Sequence, residues 1–275
     1  TIDGASSKLR WYGSAGGTIF TVNGPFYRLK IRDLFINMKP STNSAGIALD
    51  LNHVLLSEFS NIYINENSDY GIRIRAYGGW SGGDGANGNK FDNITINSTT
   101  AGAKGIDIGY TAICTGCTLD PAQNQFNNFR ARFDTGVGTY VSGSIGINLN
   151  FTDASQFNNP IIAAATALQI TVPTGTGGAS YPSAYMFTNP ALTGTSSFAV
   201  SGTWTAAEKL GFYNYEVGDA ETIPSDTNNN TFGVTSNGVR WGMSADAGFI
   251  TGLQLEWVST TQVKIKTGAA QIQST

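Results

Sequence analysis

The sequence predicts an all-β fold, a parallel β-solenoid followed by a small C-terminal β-module. Three observations carry that prediction. A Phe-x-Asn motif with alternating apolar residues recurs along most of the chain. A second, Gly-Ile motif is interleaved with it. Charged residues are only 13% of the 275, and Asn, Thr, Ser and Gly supply the polarity instead. Thr fits the pleat of a strand, and Asn and Gly make turns. Exposed faces of helical bundles are instead rich in Glu and Lys.

The first motif appears as FSNIYIN from Phe59, FDNITIN from Phe91 and FNNFRAR from Phe126. It continues as FNNPIIA from Phe157, FTNPALT from Phe187 and FYNYEVG from Phe212, after an earlier copy, IRDLFIN, from Ile31. The starts lie 25–35 residues apart. The second motif reads GIALDL from Gly46, GIRIRA from Gly71, GIDIGY from Gly105, GINLNF from Gly146 and a degenerate ALQITV from Ala167. In both, apolar residues fall at every second position, as in strands half-buried against a core. A unit of about 30 residues with two short strands cannot bury its own apolar face, but a stack of such units can. Phe59, Phe91, Phe126, Phe157, Phe187 and Phe212 are then expected to form an interior stack. Asn61, Asn93, Asn128, Asn159, Asn189 and Asn214 are expected to form an amide ladder at one corner, with a structural role.

Beyond Gly218 the rhythm fades. Leu253, Leu255 and Trp257, then Val263 and Ile265, alternate as in a hairpin or small β-module. The chain is therefore divided into a solenoid, residues 1–218, and a C-terminal β segment, 219–275. That segment reads as a cap, a subunit contact or a lead-in to a further domain, since open strand edges invite aggregation. One helical turn is the most that TAAEKLG, from Thr205, predicts.

Composition excludes several functions. The net charge is −3 and there is no basic run, which argues against nucleic-acid binding. No apolar run reaches the ~18 residues of a membrane span. Cys114 and Cys117 form a lone CTGC, and the single histidine, His53, is distant in sequence. Two loop thiols are the plain reading of that pair, and neither metal nor cofactor is expected. The chain opens at Thr1 on β-like sequence and reads as a segment of a longer protein.

The Phe-x-Asn-Ile-x-Ile and Gly-Ile-x-Ile rhythm, with loops of uneven length, resembles right-handed parallel β-helices of the pectate-lyase-like class. More specifically it looks like the central domain of bacteriophage tailspikes. The opening, with WYG from Trp11 and FYRLKI from Phe26, is similar to the first coils of those domains. The resemblance covers about Thr1 to Gly218. It implies a homotrimer on the virion, outside the cell and joined to other tail proteins, that binds and often cleaves a bacterial surface polysaccharide.

The residues offer candidates for that work. On the Gly-Ile strands, outward positions are expected to align as Ala48, Arg73, Asp107, Asn148 and as Asp50, Arg75, Gly109, Asn150. A stretch with six glycines among fifteen residues, AYGGWSGGDGANGNK from Ala76, leaves one of these strands. It would carry Tyr77, Trp80 and Asp84 to the edge of the charged rows. An aromatic platform beside carboxylates suits a sugar, and Arg73 and Arg75 would add contacts. Glycoside hydrolysis needs two carboxyl groups about 5–5.5 Å apart for retention or about 6.5–9.5 Å apart for inversion. Asp107 with Asp84 is the first pair, and Asp50 with Asp107 another. Glu66 and Asp134, with Ser98 between, are a rival constellation. Three readings stay open: a glycoside hydrolase, a polysaccharide lyase using the arginines for charge neutralisation, and an adhesin that binds without cleaving. Cross-strand ion pairing is the plain structural account of the same charges.

Overall fold

The computed structural model describes residues 2–12, 14–39, 46–75, 85–109, 121–136, 138–150, 154–171, 185–201, 210–213, 254–259, 262–267 and 270–273. It is an all-β, parallel β-solenoid of about 5 turns, with no helix among these residues. One sheet stacks the Phe-x-Asn strands in the order Ile2–Arg10, Lys30–Asn37, Glu58–Asn65, Lys90–Asn97, Gln125–Asn127, Gln156–Asn158, Tyr185–Thr188 and Leu210–Tyr213. Arg130–Arg132, Ile161–Ala163 and Ala191–Thr193 continue its upper coils past the bend. The second sheet stacks Thr18–Tyr27, Ile47–Leu55, Tyr70–Arg75, Lys104–Ile108, Ile145–Leu149, Thr166–Thr171 and Ser196–Ser201.

The core lies between the sheets. Phe59, Phe91, Phe126, Phe157 and Phe187 are fully buried and stack ring on ring, with centroids 4.7, 4.7, 4.4 and 5.0 Å apart. Those distances match the strand spacing of about 4.8 Å, so each ring rides directly on its copy in the next coil. Phe212 pairs in register with Phe187. Ile62, Ile64, Ile94 and Ile96 line the same interior.

The bend in each Phe-x-Asn strand falls on the asparagine. Asn61, Asn93, Asn128, Asn159 and Asn189 all have φ between 48° and 55°, a left-handed conformation that Asn tolerates better than most residues. Each donates its Nδ2 to the side-chain oxygen one coil below, at 2.9–3.3 Å, and the lowest bond ends on Asp33. The expected ladder is therefore present in these coils, while Asn214 lies outside the described residues. Asn93→Ala loses the bonds on both sides and leaves a Cβ residue at positive φ, and should cost about 2 kcal/mol. Asn93→Gly, which keeps the backbone comfortable, should cost about half as much. Denaturant midpoints of the two variants check the order.

A second ladder went unread in the sequence. Two residues before Phe59, Phe91, Phe126 and Phe157 stand Ser57, Asn89, Asn124 and Ser155, all buried. The Leu29, Ser57, Asn89 and Asn124 amide N–H groups each donate to the side-chain oxygen one coil above, at 2.9, 3.0, 3.1 and 3.3 Å. The column satisfies backbone donors at the turn into the first sheet, where no strand partner is available.

The C-terminal segment forms a three-stranded antiparallel sheet of Gln254–Ser259, Gln262–Thr267 and Ala270–Gln273. Leu255 pairs with Ile265 and Trp257 with Val263, as the alternation predicts, and Ile272 adds the third strand. The turn read at Thr205 lies outside the described residues.

Candidate functional site

The second sheet carries the charged rows expected from the Gly-Ile strands. Its inward positions are Leu49, Ile72, Ile106 and Ile147, all fully buried. The outward row between them reads Thr21, Asp50, Arg73, Asp107, Asn148 and Gln169. A second outward row begins Asn23, Asn52, Arg75. The lower coils thus differ from expectation by two residues, because Leu49 and not Ile47 faces Ile72. Gly46 and Gly71 look alike in sequence but serve different contacts. A Cβ at Gly46 would meet the Gly16 carbonyl oxygen at 2.7 Å, and one at Gly71 would meet the Ile96 side chain at 2.6 Å.

The register decides the ion pairs. Asp50 is not beside Arg75 alone, and Arg73 does not turn to Asp107; both arginines clamp Asp50. Its Oδ1 accepts from Arg73 Nε at 3.1 Å and Arg75 Nε at 3.0 Å, and its Oδ2 from the two Nη2 atoms at 2.7 and 2.8 Å. Four charge-assisted bonds occupy its acceptor positions. Burial alone would lower the Arg73 pKa, but the hydrogen bond and charge of Asp50 outweigh it and raise it.

Asp107 sits in the same row, two strand spacings or about 9.6 Å from Asp50, with no offset along the strand. It is 1% exposed. Its Oδ1 accepts from Asn148 Nδ2 at 2.6 Å and Asn150 Nδ2 at 2.9 Å, while its Oδ2 has no hydrogen-bond partner. Burial raises the carboxyl above its ordinary value, against the two amides and the charges of Lys104 and Arg73. Close by, Tyr70 lies under Lys104 Nζ at 4.5 Å and the Arg73 guanidinium at 5.4 Å from its ring centre. Burial first, then the charge of Asp107, pushes the Tyr70 hydroxyl up to about 12. Lys104 also reaches Asp69 at 3.5 Å.

This shift has a sign that can be tested. The folded-state pKa of Asp107 is raised, so its contribution to stability is whole below the unfolded value of about 4 and is lost as pH rises through the folded value. Asp107→Asn keeps the shape without the charge. It should raise the denaturation midpoint at pH 7.5, and the gain should vanish near pH 3.5. An equal gain at both pH values would mean that the carboxylate ionises there at no cost.

In the rival constellation each group already has a partner. Glu66 Oε2 accepts from the Thr99 hydroxyl at 2.9 Å and from its backbone N–H at 3.2 Å. Asp134 pairs with Arg132 at 2.9 Å. Ser98 lies in the coil between them, level with Glu66, but its side chain is buried and donates to the Asn67 carbonyl at 2.7 Å. Ser98 bonds to the Arg132 carbonyl and so lies level with Phe133, one residue before Asp134. Tyr77, Trp80, Asp84, Cys114 and Cys117 lie outside the described residues.

The chain is a parallel β-solenoid whose second sheet carries on its outer face a polar row of buried carboxylates and amides and half-buried guanidiniums. Such a fold is compatible with proteins that bind or degrade polysaccharides. No family model, no curated protein and no solved structure matches the chain.

Proposed function

We propose that this chain is the polysaccharide-recognising solenoid of a phage tailspike. In that role it works on the virion as a homotrimer, joined to other tail proteins, and hydrolyses glycosidic bonds in a bacterial surface polysaccharide. One observation carries the hydrolytic part: Asp107 is buried with one oxygen that has no hydrogen-bond partner. Burial favours the protonated form of that carboxyl, and a protonated carboxyl can supply the acid half of glycoside hydrolysis. The second carboxylate is assigned to Asp84, with Trp80 and Tyr77 as the sugar platform. Asp50 is better read as the anchor that orients Arg73 and Arg75, since both guanidiniums already occupy its oxygens. The same engagement counts against a lyase, which needs free cations to neutralise a uronate.

The adhesin reading has its own support, because Asp107 is 1% exposed and reaches substrate only when the row is uncovered. The decisive experiment incubates the chain with a panel of purified O-antigens, capsules and exopolysaccharides, followed by sizing and a reducing-end assay. Shortening with new reducing ends, lost in Asp107→Asn, is the expected result. Binding without shortening selects the adhesin. Unsaturated ends select the lyase, and neither binding nor shortening overturns the proposal. Sedimentation of the same sample tests the trimer.

A further inference from the structure

We infer that the outer face of the first sheet holds a separate subsite for a sugar bearing a carboxylate, seated between the Tyr63 ring and the Arg130 guanidinium. The inference rests on the polysaccharide reading above for its class of occupant, but not on the charged row of the second sheet.

Strand alternation places the parts. Ile62, Ile64, Ile94, Ile96 and Ala131 point inward and are buried, so Tyr63, Thr95, Arg130 and Arg132 point outward. Tyr63 pairs with Thr95, and Thr95 with Arg130. Tyr63 and Arg130 therefore stand two strand spacings apart, about 9.6 Å, with only the short Thr95 side chain between them. The result is a notch with one tall wall on each side.

The walls are chemically distinct. Phe35 stacks on one face of Tyr63 at 4.9 Å and 9°, a separation close to one strand spacing. The ring normals therefore run along the solenoid axis, and the second face of Tyr63 turns toward the Thr95 row. Asn97 Nδ2 donates to the Tyr63 hydroxyl at 2.6 Å and holds the ring in place. Asn97 Oδ1 has no hydrogen-bond partner although solvent does not reach it. On the opposite wall Arg130 is exposed and forms no ion pair or hydrogen bond among the described residues. Its neighbour Arg132 is held by Asp134, and on the lower coils Lys30, Arg32 and Lys90 are matched to carboxylates. A chain of net charge −3 thus presents an unmatched guanidinium opposite an aromatic face.

A pyranose offers a C–H face for the ring. A ring carboxylate completes the set, because a guanidinium binds it through two parallel hydrogen bonds. A neutral sugar would fill the notch and leave Arg130 unanswered, so the arrangement selects a uronate.

The test measures equilibrium binding of the whole chain to oligogalacturonate, oligomannuronate and oligoglucuronate, to their carboxyl-reduced counterparts, and to a DNA duplex. At least one oligouronate should bind, with affinity falling as salt rises, and its reduced counterpart should bind at least tenfold more weakly. Arg130→Gln should weaken binding about tenfold and flatten the salt dependence. Tyr63→Ala should weaken it at unchanged fold by circular dichroism, and Lys30→Gln, before the bend of the same sheet and paired with Glu58, should change nothing. Equal binding of the reduced sugar, equal binding of DNA, or an unaffected Arg130→Gln would each overturn the inference. Binding of a surface polysaccharide with no oligouronate bound would overturn it and leave the polysaccharide reading standing. Absence of any glycan binding would remove both.

Discussion

Asp50→Ala lowers the stability of the solenoid by about 3 kcal/mol, read as a shift in the denaturant midpoint at constant slope. The carboxylate is 5% exposed, and the two guanidiniums it holds are 17% and 26% exposed. Without it, Arg73 and Arg75 stand side by side as unpaired like charges in a partly desolvated place. Their residual exposure keeps the cost at the lower end of what a broken buried pair shows. Arg75→Ala should cost less, because Arg73 still makes two bonds to Asp50. The loss in Asp50→Ala should shrink in high salt, which screens the remaining repulsion. A change below about 0.5 kcal/mol would place the triad among ordinary surface ion pairs.

Phe126→Ala should cost about 3–5 kcal/mol, the range for removing a buried aromatic ring. Phe126 is the middle ring of the stack, touching Phe91 at 4.7 Å and Phe157 at 4.4 Å, with Phe129 edge-on at 6.3 Å. Neighbouring coils hold the backbone by parallel pairing on both sides, so the cavity cannot collapse. Phe126→Leu, which retains most of the volume, should cost about half as much. Stability in a solenoid passes through nearest-neighbour interfaces. Exchange protection in Phe126→Ala should therefore fall first in the coils of Phe91 and Phe157. A uniform loss along the chain would show that the solenoid unfolds as one unit.

The Phe stack and the Asn ladder were legible because each depends on one residue type repeated at one place in each coil. Their function is met by any copy stacked on the next, so spacing and identity suffice. The Ser57, Asn89, Asn124, Ser155 column was equally present in the sequence, two residues before Phe59, Phe91, Phe126 and Phe157. It is less legible because two residue types, serine and asparagine, share the position, and because a buried amide is not expected beside a core phenylalanine.

The ion pairs on the second sheet were less legible. Period-two alternation puts Asp50, Arg73 and Asp107 on the outward face, and the structure agrees. A slip of two residues leaves every isoleucine inside, so alternation alone does not choose between registers. The observed register pairs Ile47 with Tyr70 and Leu49 with Ile72, and so fixes the partner of Asp50.

The sequence by itself determined the solenoid, its coil length, its interior stack and its corner ladder, because these are repeats of local chemistry. Only the tertiary structure decided that Asp50 holds two arginines, and that Asp107 faces outward yet is buried with one oxygen unmatched. It also decided that Tyr63, Thr95 and Arg130 share one outward row. Those properties belong to the relative height of neighbouring coils and to what lies above a sheet. Residues 23 to 43 apart in the chain meet there, at a register that no single coil encodes.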